Sequence, residues 1–303
     1  MRGTAAARGM GQMGEFYALA AAIVWAFAVI LFKRSGETVS PYALNLFRVS
    51  VSGALFLFIL AGMGEPLLGR APSRDYLVLV ASGVIGIALA DTLFHKSLNI
   101  VGAGITAIID CLYSPLVVLF AFFLLSERIT LWQMLGMLLI ILGVFIASRH
   151  DPPRGTSRRN LVEGIVWGVL AMVALSLGIV IAKPVLNHSP VFWATTIRQI
   201  GALAVMIPAA VISPRRRMYF EVFRPVRTWK FTLTGTLLGS FFALLFWIAG
   251  MKYTEASIAA ILNQTTTIYV LIFATLFLKE QFTRRKIWAS LLALSGICLV
   301  IWG

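Results

Sequence analysis

Charged side chains are scarce in this chain of 303 residues: Asp, Glu, Lys and Arg together account for 13% of it, against 59% hydrophobic residues. A soluble domain carries about a quarter charged residues, so this shortage excludes an ordinary soluble fold. Cysteine is also rare, since only Cys111 and Cys298 are present and both lie in apolar stretches. Their number and spacing exclude a disulfide framework and a cysteine-based metal site.

Acidic residues are the scarcer of the two charged kinds, with 12 Asp and Glu against 26 Lys and Arg. The resulting net charge of +14 would suggest nucleic acid in a soluble protein, but here the basic residues cluster between apolar stretches, as in the loops of membrane proteins. The sequence contains no zinc finger, RNA-binding signature or Walker loop. We therefore predict no nucleic-acid partner, no cofactor and no metal.

Long apolar stretches are what the sequence has in abundance, and a bilayer span needs about 20 such residues. They predict an all-α polytopic membrane protein with ten transmembrane helices. The predicted spans cover 15–33, 41–62, 75–98, 102–125, 131–148, 162–183, 190–212, 229–250, 256–278 and 285–302.

The clearest polar break, 149–160, contains two prolines and four arginines and divides the chain near its middle. It predicts an N-terminal tail at 1–14, a first five-helix repeat at 15–148, a linker at 149–160 and a second five-helix repeat at 161–303.

The two halves match each other at a nearly constant offset. An offset of 153 pairs Asp110 with Asn263, and an offset of 150 pairs Arg48 with Arg198. An odd number of spans in each half predicts that the halves enter the membrane in opposite senses. Such inverted repeats occur in many secondary transporters, with the binding site near mid-bilayer at the repeat interface.

Several short motifs occur once in each half and in the same order. Each first span contains a tryptophan, Trp25 or Trp167, and a Ser-Pro pair precedes each second span. Each fourth span closes on related residues, LSERIT at 125–130 and LKEQFT at 278–283. With these motifs each half resembles an EamA domain of the drug/metabolite transporter superfamily, over about 15–148 and 161–303. The resemblance implies a ten-helix carrier of small metabolites or drugs.

Ionisable residues inside the predicted spans fall at similar depths. Arg48, Asp91 and Asp110 each lie about 12 Å from the face that carries the odd-numbered loops, at 1.5 Å per helical residue. Arg198 and Asn263 lie about 12–14 Å from the opposite face. Since the hydrocarbon core is about 30 Å thick, both sets approach the midplane. Intramembrane charges of this kind commonly mark a substrate or ion pathway.

These positions define a candidate site. Trp25 and His95 are predicted to line its vestibule. A metal between Asp91 and His95 is the weaker interpretation of that spacing, because no third ligand is evident. The alternatives for the charged residues are a structural ion pair among Asp91, Asp110 and Arg48, and snorkelling of the arginines. The predicted substrate-binding or coupling residues are Arg48, Asp91, Asp110, Tyr113, Arg198, Asn263 and Gln264.

The function predicted from these features is secondary transport of a small polar or amino-acid-like metabolite or drug by alternating access. Proton coupling and a homodimer are further hypotheses, beside the lipid bilayer and the small-molecule substrate as partners. The alternatives are an intramembrane enzyme acting on a lipid-linked substrate, with Asp91, His95 and Asp110 as its acid–base set, and a membrane assembly factor. We predict that the chain is not an enzyme and that it resides in a bacterial cytoplasmic membrane.

Two arguments about orientation disagree. Most basic loop residues lie in the odd-numbered loops, which places those loops in the cytoplasm and both termini outside. The family resemblance instead implies termini inside.

Overall fold

Helices make up the regular structure of the molecule. The computed structural model describes residues 2–125, 130–148, 157–225, 229–253, 262–263, 265–281 and 283–302, and within these ranges it contains no β-strand, as predicted. Two segments, π1 and π2, have the wider turn of a π-helix. In chain order the elements are α1 (Arg2–Ser35), α2 (Pro41–Gly62), α3 (Ser73–Gly83), π1 (Val84–Leu89), α4 (Ala90–Asp110), α5 (Tyr113–Leu125), α6 (Leu131–Ser148), α7 (Arg158–His188), α8 (Val191–Ile212), α9 (Arg216–Glu221), α10 (Trp229–Gly235), π2 (Thr236–Ala243), α11 (Leu244–Tyr253), α12 (Thr266–Leu278) and α13 (Arg284–Trp302).

Six of the described helical segments are long and apolar enough to cross a bilayer. Three shorter apolar helices accompany them, at Tyr113–Leu125, Leu131–Gly143 and Thr266–Leu278. The chain is therefore a polytopic membrane protein. The predicted N-terminal tail is helical from Arg2 onwards and continues into the first span. The six long segments are Met13–Ser35, Pro41–Gly62, Ser73–Asp110, Arg158–Leu186, Val191–Ile212 and Trp229–Trp247.

The Ser-Pro pairs begin helices in both halves. Ser40 is the N-cap of α2, where its hydroxyl accepts a hydrogen bond from the Ala43 amide at 3.4 Å. Pro41 follows at the first helical position, where a missing amide hydrogen costs no hydrogen bond. Pro190 occupies the cap of α8 in the second half. The repeated motif therefore sets where the second span of each half begins.

The boundary between the third and fourth predicted spans is a sharp break at Gly102. Its φ of +83° is left-handed, a conformation that glycine adopts without a Cβ penalty. The carboxylate of Glu280 caps the helix that restarts there, because its Oε1 accepts from the Ala103 amide at 2.7 Å and its Oε2 from the Gly104 amide at 3.1 Å. The Lys286 ammonium lies 3.2 Å from Oε2. A second-half carboxylate thus neutralises exposed amides of the first half.

Replacement of Gly102 by alanine is expected to lower the melting temperature of the purified protein. The new Cβ would lie 2.6 Å from Glu280 Oε1, so it would displace the carboxylate from the helix start. Gly64→Ala is the matched control, since Gly64 also has a positive φ, of +69°, but no heavy atom within 4 Å of its Cβ position. The control should lose only the strain of a left-handed alanine, about 1–2 kcal/mol. Equal shifts in the two variants would contradict the capping role.

Close helix contacts recur under the sequence offset that relates the halves. Gly86 packs on Gly178, and its counterpart Gly239 packs on Ala28. The partners are counterparts as well, since 28 and 178 differ by the offset of 150 found for the first spans. Both contacts bring helices close because small residues face each other. These small residues therefore serve helix packing.

The last predicted spans of the two halves, α6 and α13, pack against each other in the same reciprocal manner. Gly143 meets Ala289, and Gly296 meets Gly136. The offset of 153 exchanges the two contacts. The pairing is what a pseudo-twofold relation between the halves requires.

Candidate functional site

A cavity of about 270 Å³ lies between helices of the two halves. It is the place where the charged residues of the spans converge. Among the predicted substrate-binding or coupling residues, Gln264 lies outside the described residues. The other six all line this cavity: Arg48, Asp91, Asp110, Tyr113, Arg198 and Asn263.

Arg48 is the most elaborately held of these side chains and is only 4% exposed. Its Nε donates to Ser240 Oγ at 2.9 Å, and its Nη1 donates to His95 Nε2 at 2.5 Å. The same Nη1 forms an ion pair with Asp91 Oδ2 at 3.6 Å. Since a guanidinium has no acceptor, His95 Nε2 must be unprotonated. Arg48 is therefore compensated by one carboxylate and fixed in orientation by two neutral partners.

Of the two predicted vestibule residues, Trp25 lines the cavity and His95 does not. Trp25 lines the cavity, with its ring centroid 5.8 Å from Arg48 Cζ, within the range of a cation–π contact. His95 is fully buried behind the guanidinium, in edge contacts with Phe32 and Phe94, and is not part of the cavity wall. His95 thus reaches the cavity only through Arg48.

Arg198 is held differently: among the described residues its side chain has one hydrogen bond, through Nε. That nitrogen donates to Ser82 Oγ at 2.9 Å, and the serine in turn donates to the Gly178 carbonyl at 2.7 Å. The backbones of α3 and α8 touch at this point, because a Cβ on Gly83 would overlap the Arg198 carbonyl oxygen. The terminal Nη2 lies over Gly86, 3.4 Å from the position of a Cβ there. Glycines therefore make room both for the backbone and for the guanidinium of Arg198.

Asp110 stands at the end of α4, where the helix is interrupted. The amides of Cys111 and Leu112 bond to carbonyls three residues back, and α5 starts at Tyr113. The interruption falls where it is expected from Pro115, whose ring clashes with the carbonyl four residues earlier, at Cys111. Within the described part of the chain the Asp110 carboxylate forms no hydrogen bond or ion pair. It faces the cavity as an unpartnered acidic group.

Asn263, the counterpart of Asp110, also lies just before a break in its helix, although no proline follows it. Here threonines make the break: Thr265 Oγ1 donates to the Leu262 carbonyl at 2.5 Å, and Thr266 Oγ1 donates to the Asn263 carbonyl at 2.6 Å. Side-chain bonds of this kind compete with helical backbone bonds. Both halves therefore open their fourth span beside the cavity, by different means.

The π-helical segments π1 and π2 lie at matching positions of the two halves and both reach the cavity, through Gly86 and Gly239. A π turn leaves backbone carbonyls without their usual helical hydrogen bonds. Asn45 supplies a donor for one of them, because its Nδ2 donates to the Ile87 carbonyl at 2.9 Å. π segments inside α-helices occur frequently at functional sites.

Several cavity residues were not singled out from the sequence. Ser52 lies one helical turn after Arg48, and its hydroxyl is 2.8 Å from Gln199 Oε1. Its i+4 spacing from Arg48 is a signal that could have found it. Trp247 also lines the wall. Nothing in the sequence indicated Ser240, since neutral serines are common in transmembrane helices. Its role as a hydrogen-bond acceptor depends on Arg48, which reaches it from the other half.

A helical membrane protein with a charge-lined cavity between two related halves has the construction of a membrane transporter. The chain belongs to the EamA-like transporter family, which matches residues 12–149 and again residues 162–302. The family therefore accounts for both halves.

Similar proteins carry the same broad description. A protein of Archaeoglobus fulgidus named "Uncharacterized transporter" is 23% identical over 91% of this chain and 94% of its own length. The "Uncharacterized transporter YetK" of Bacillus subtilis is 22% identical over 89% of this chain and 82% of its own length. A solved crystal structure aligns with a TM-score of 0.64 at 17% identity, covering 95% of this chain and 96% of the other. That structural likeness supports the fold alone.

Proposed function

We propose that this transporter is a secondary carrier that moves a small polar metabolite across a bacterial cytoplasmic membrane by alternating access. In this proposal two five-helix repeats, 15–148 and 161–303, are inserted in opposite senses and enclose the cavity. Six of the ten spans are the long helical segments, and a further span runs from the break at Gly102 through Tyr113–Leu125. The other three contain Leu131–Gly143, Thr266–Leu278 and α13.

One observation carries the proposal: each arginine of the cavity is bound by a serine of the other half. Arg48 of the first half donates to Ser240, and Arg198 of the second half donates to Ser82. The polar site is therefore built jointly by the two halves. A site at such an interface changes its exposure when the halves move relative to each other, which is the requirement of alternating access.

The size and chemistry of the cavity support a small polar cargo. Its volume of about 270 Å³ lies at the lower end of small-molecule sites, which span about 300–1,000 Å³. The wall combines two arginines and two aspartates with the apolar surfaces of Trp25 and Trp247. A balanced set of charges in a low-dielectric wall favours a cargo that carries polar groups of its own.

Three further parts of the proposal concern the coupling ion, the orientation in the membrane and the oligomeric state. Proton uptake by an aspartate of the cavity is a candidate for the coupling step. The charge distribution of the loops favours odd-numbered loops in the cytoplasm. A homodimer is compatible with either orientation.

The test is transport by purified protein in liposomes. The vesicles are exposed to a bacterial metabolite extract, and the compounds that enter are identified by untargeted mass spectrometry against protein-free vesicles. We expect unmodified small polar compounds to accumulate. Accumulation of none would contradict the carrier, and conversion of a compound in detergent solution would favour the intramembrane enzyme.

A further inference from the structure

The two arginines of the cavity differ in how their charge is compensated. Arg48 has Asp91 as an ion-pair partner at 3.6 Å and is almost fully buried. Arg198 forms no ion pair with any residue that the structure describes, and its one hydrogen bond goes to a neutral serine. Asp91 interacts electrostatically with both arginines, but its close contact is with Arg48.

The guanidinium of Arg198 is presented to the cavity rather than to the protein interior. Its Nε is occupied by Ser82, and its Nη2 lies over the bare backbone of Gly86. Both Arg198 and Gly86 belong to the cavity wall. A guanidinium that is held at Nε and free at its two terminal nitrogens has the geometry that binds a planar anion with two hydrogen bonds.

The two aspartates of the cavity also differ, because one has an ionic partner and the other has none among the described residues. Asp91 is engaged by Arg48, whereas Asp110 has no polar partner among the described residues and faces the cavity. Unpaired charges inside a membrane are costly. Arg198 and Asp110 on the same cavity wall therefore favour a ligand that carries one negative and one positive group.

Tyr113 lines the same cavity, and its phenol interacts electrostatically with both Arg198 and Asp110. Trp25 and Trp247 provide apolar surface on the same wall.

We propose that Arg198 binds the anionic group and Asp110 the cationic group of a zwitterionic substrate, with the Arg48–Asp91 pair as a fixed part of the wall. This inference rests on the carrier proposed above and specifies the class of its cargo. A carboxylate with an ammonium group is the simplest molecule of that class.

The experiment uses three matched series as probes: standard amino acids, their carboxamides, which lack the anion, and their N-acetyl derivatives, which lack the cation. Uptake into liposomes is measured for the wild type, Arg198→Gln, Asp110→Asn and Arg74→Gln, whose side chain is exposed and outside the cavity. The wild type and Arg74→Gln are expected to prefer the zwitterions over both derivatives.

Each cavity variant should relax the preference at one end of the substrate only. For Arg198→Gln we expect KM for the zwitterion to rise about 10- to 100-fold, the effect of losing charged hydrogen bonds, and the preference over carboxamides to vanish. The preference over N-acetyl derivatives should remain. Asp110→Asn should behave in the opposite way.

Two results would overturn the assignment. One is a parallel loss of all three series in Arg198→Gln with unchanged ratios, which is what a structural role produces. The other is uptake of none of the three series by protein that does accumulate compounds from the metabolite extract, which would leave the carrier function intact. Failure with the extract as well would remove the proposed function itself.

Discussion

Replacement of Arg48 by alanine should both destabilise the protein and abolish transport. The substitution removes the ion pair with Asp91 and the hydrogen bonds to Ser240 and His95. Breaking a buried pair by removing one partner costs about 3–5 kcal/mol, because the remaining charge is uncompensated. The measurements are the melting temperature in detergent and the transport rate for each folded molecule.

Two further variants separate the parts of this effect. Arg48→Lys retains the charge but not the planar fork, so it should recover much of the stability and little of the transport. Ser240→Ala removes one hydrogen bond and should cost only about 1.5–3 kcal/mol. A wild-type melting temperature in Arg48→Ala would show that the pair does not organise the cavity.

Replacement of Asp110 by asparagine should leave a folded protein whose substrate affinity no longer depends on pH. In the wild type a proton competes with the cationic group of the substrate for the carboxylate, so KM is expected to rise as the pH is lowered. The limiting slope is about tenfold per pH unit for one competing proton. Asn263 shows that a neutral amide fits the equivalent position of the second half. The measurement is KM across a pH series.

Asp91→Asn is the matched comparison, because Asp91 faces the same cavity but is paired with Arg48. It should lose stability and retain the pH dependence of KM. In the part of the chain that the structure describes, the other titratable groups that interact with Asp110 are Tyr113 and Cys111, and neither is altered in these variants. A pH dependence in Asp110→Asn equal to that of the wild type would assign the competing proton to another group.

Depth along the spans was enough to predict which polar side chains of the first half meet. Arg48, Asp91 and Asp110 were expected at one level, and all three line one cavity. The prediction works because helical rise is constant and the spans begin at clear signals such as Ser40-Pro41. The break after Asp110 also has a cause in the sequence, since Pro115 follows it.

The depth of a residue predicts neither the direction in which its side chain points around the helix axis nor its partners from distant parts of the chain. His95 was expected in the vestibule but lies behind Arg48, because depth does not state which way a side chain faces. Arg48 and Arg198 were treated as equivalent because their sequence positions match. Their surroundings differ, since Asp91 has no acidic counterpart at Leu244.

The crossed arginine–serine bonds also limit how this gene can evolve. Duplicated halves normally drift independently once each has its own task. Here Arg48 is positioned by Ser240, 192 residues away, and Arg198 by Ser82, 116 residues away. Loss of either serine would therefore change how the arginine of the other half is oriented, so we expect substitutions at these positions to be linked between the halves. Asp110 and Asn263 occupy equivalent positions and have no such partner among the described residues. The two halves can therefore differ at this position, and a change here can alter the cargo preference without rebuilding the cavity.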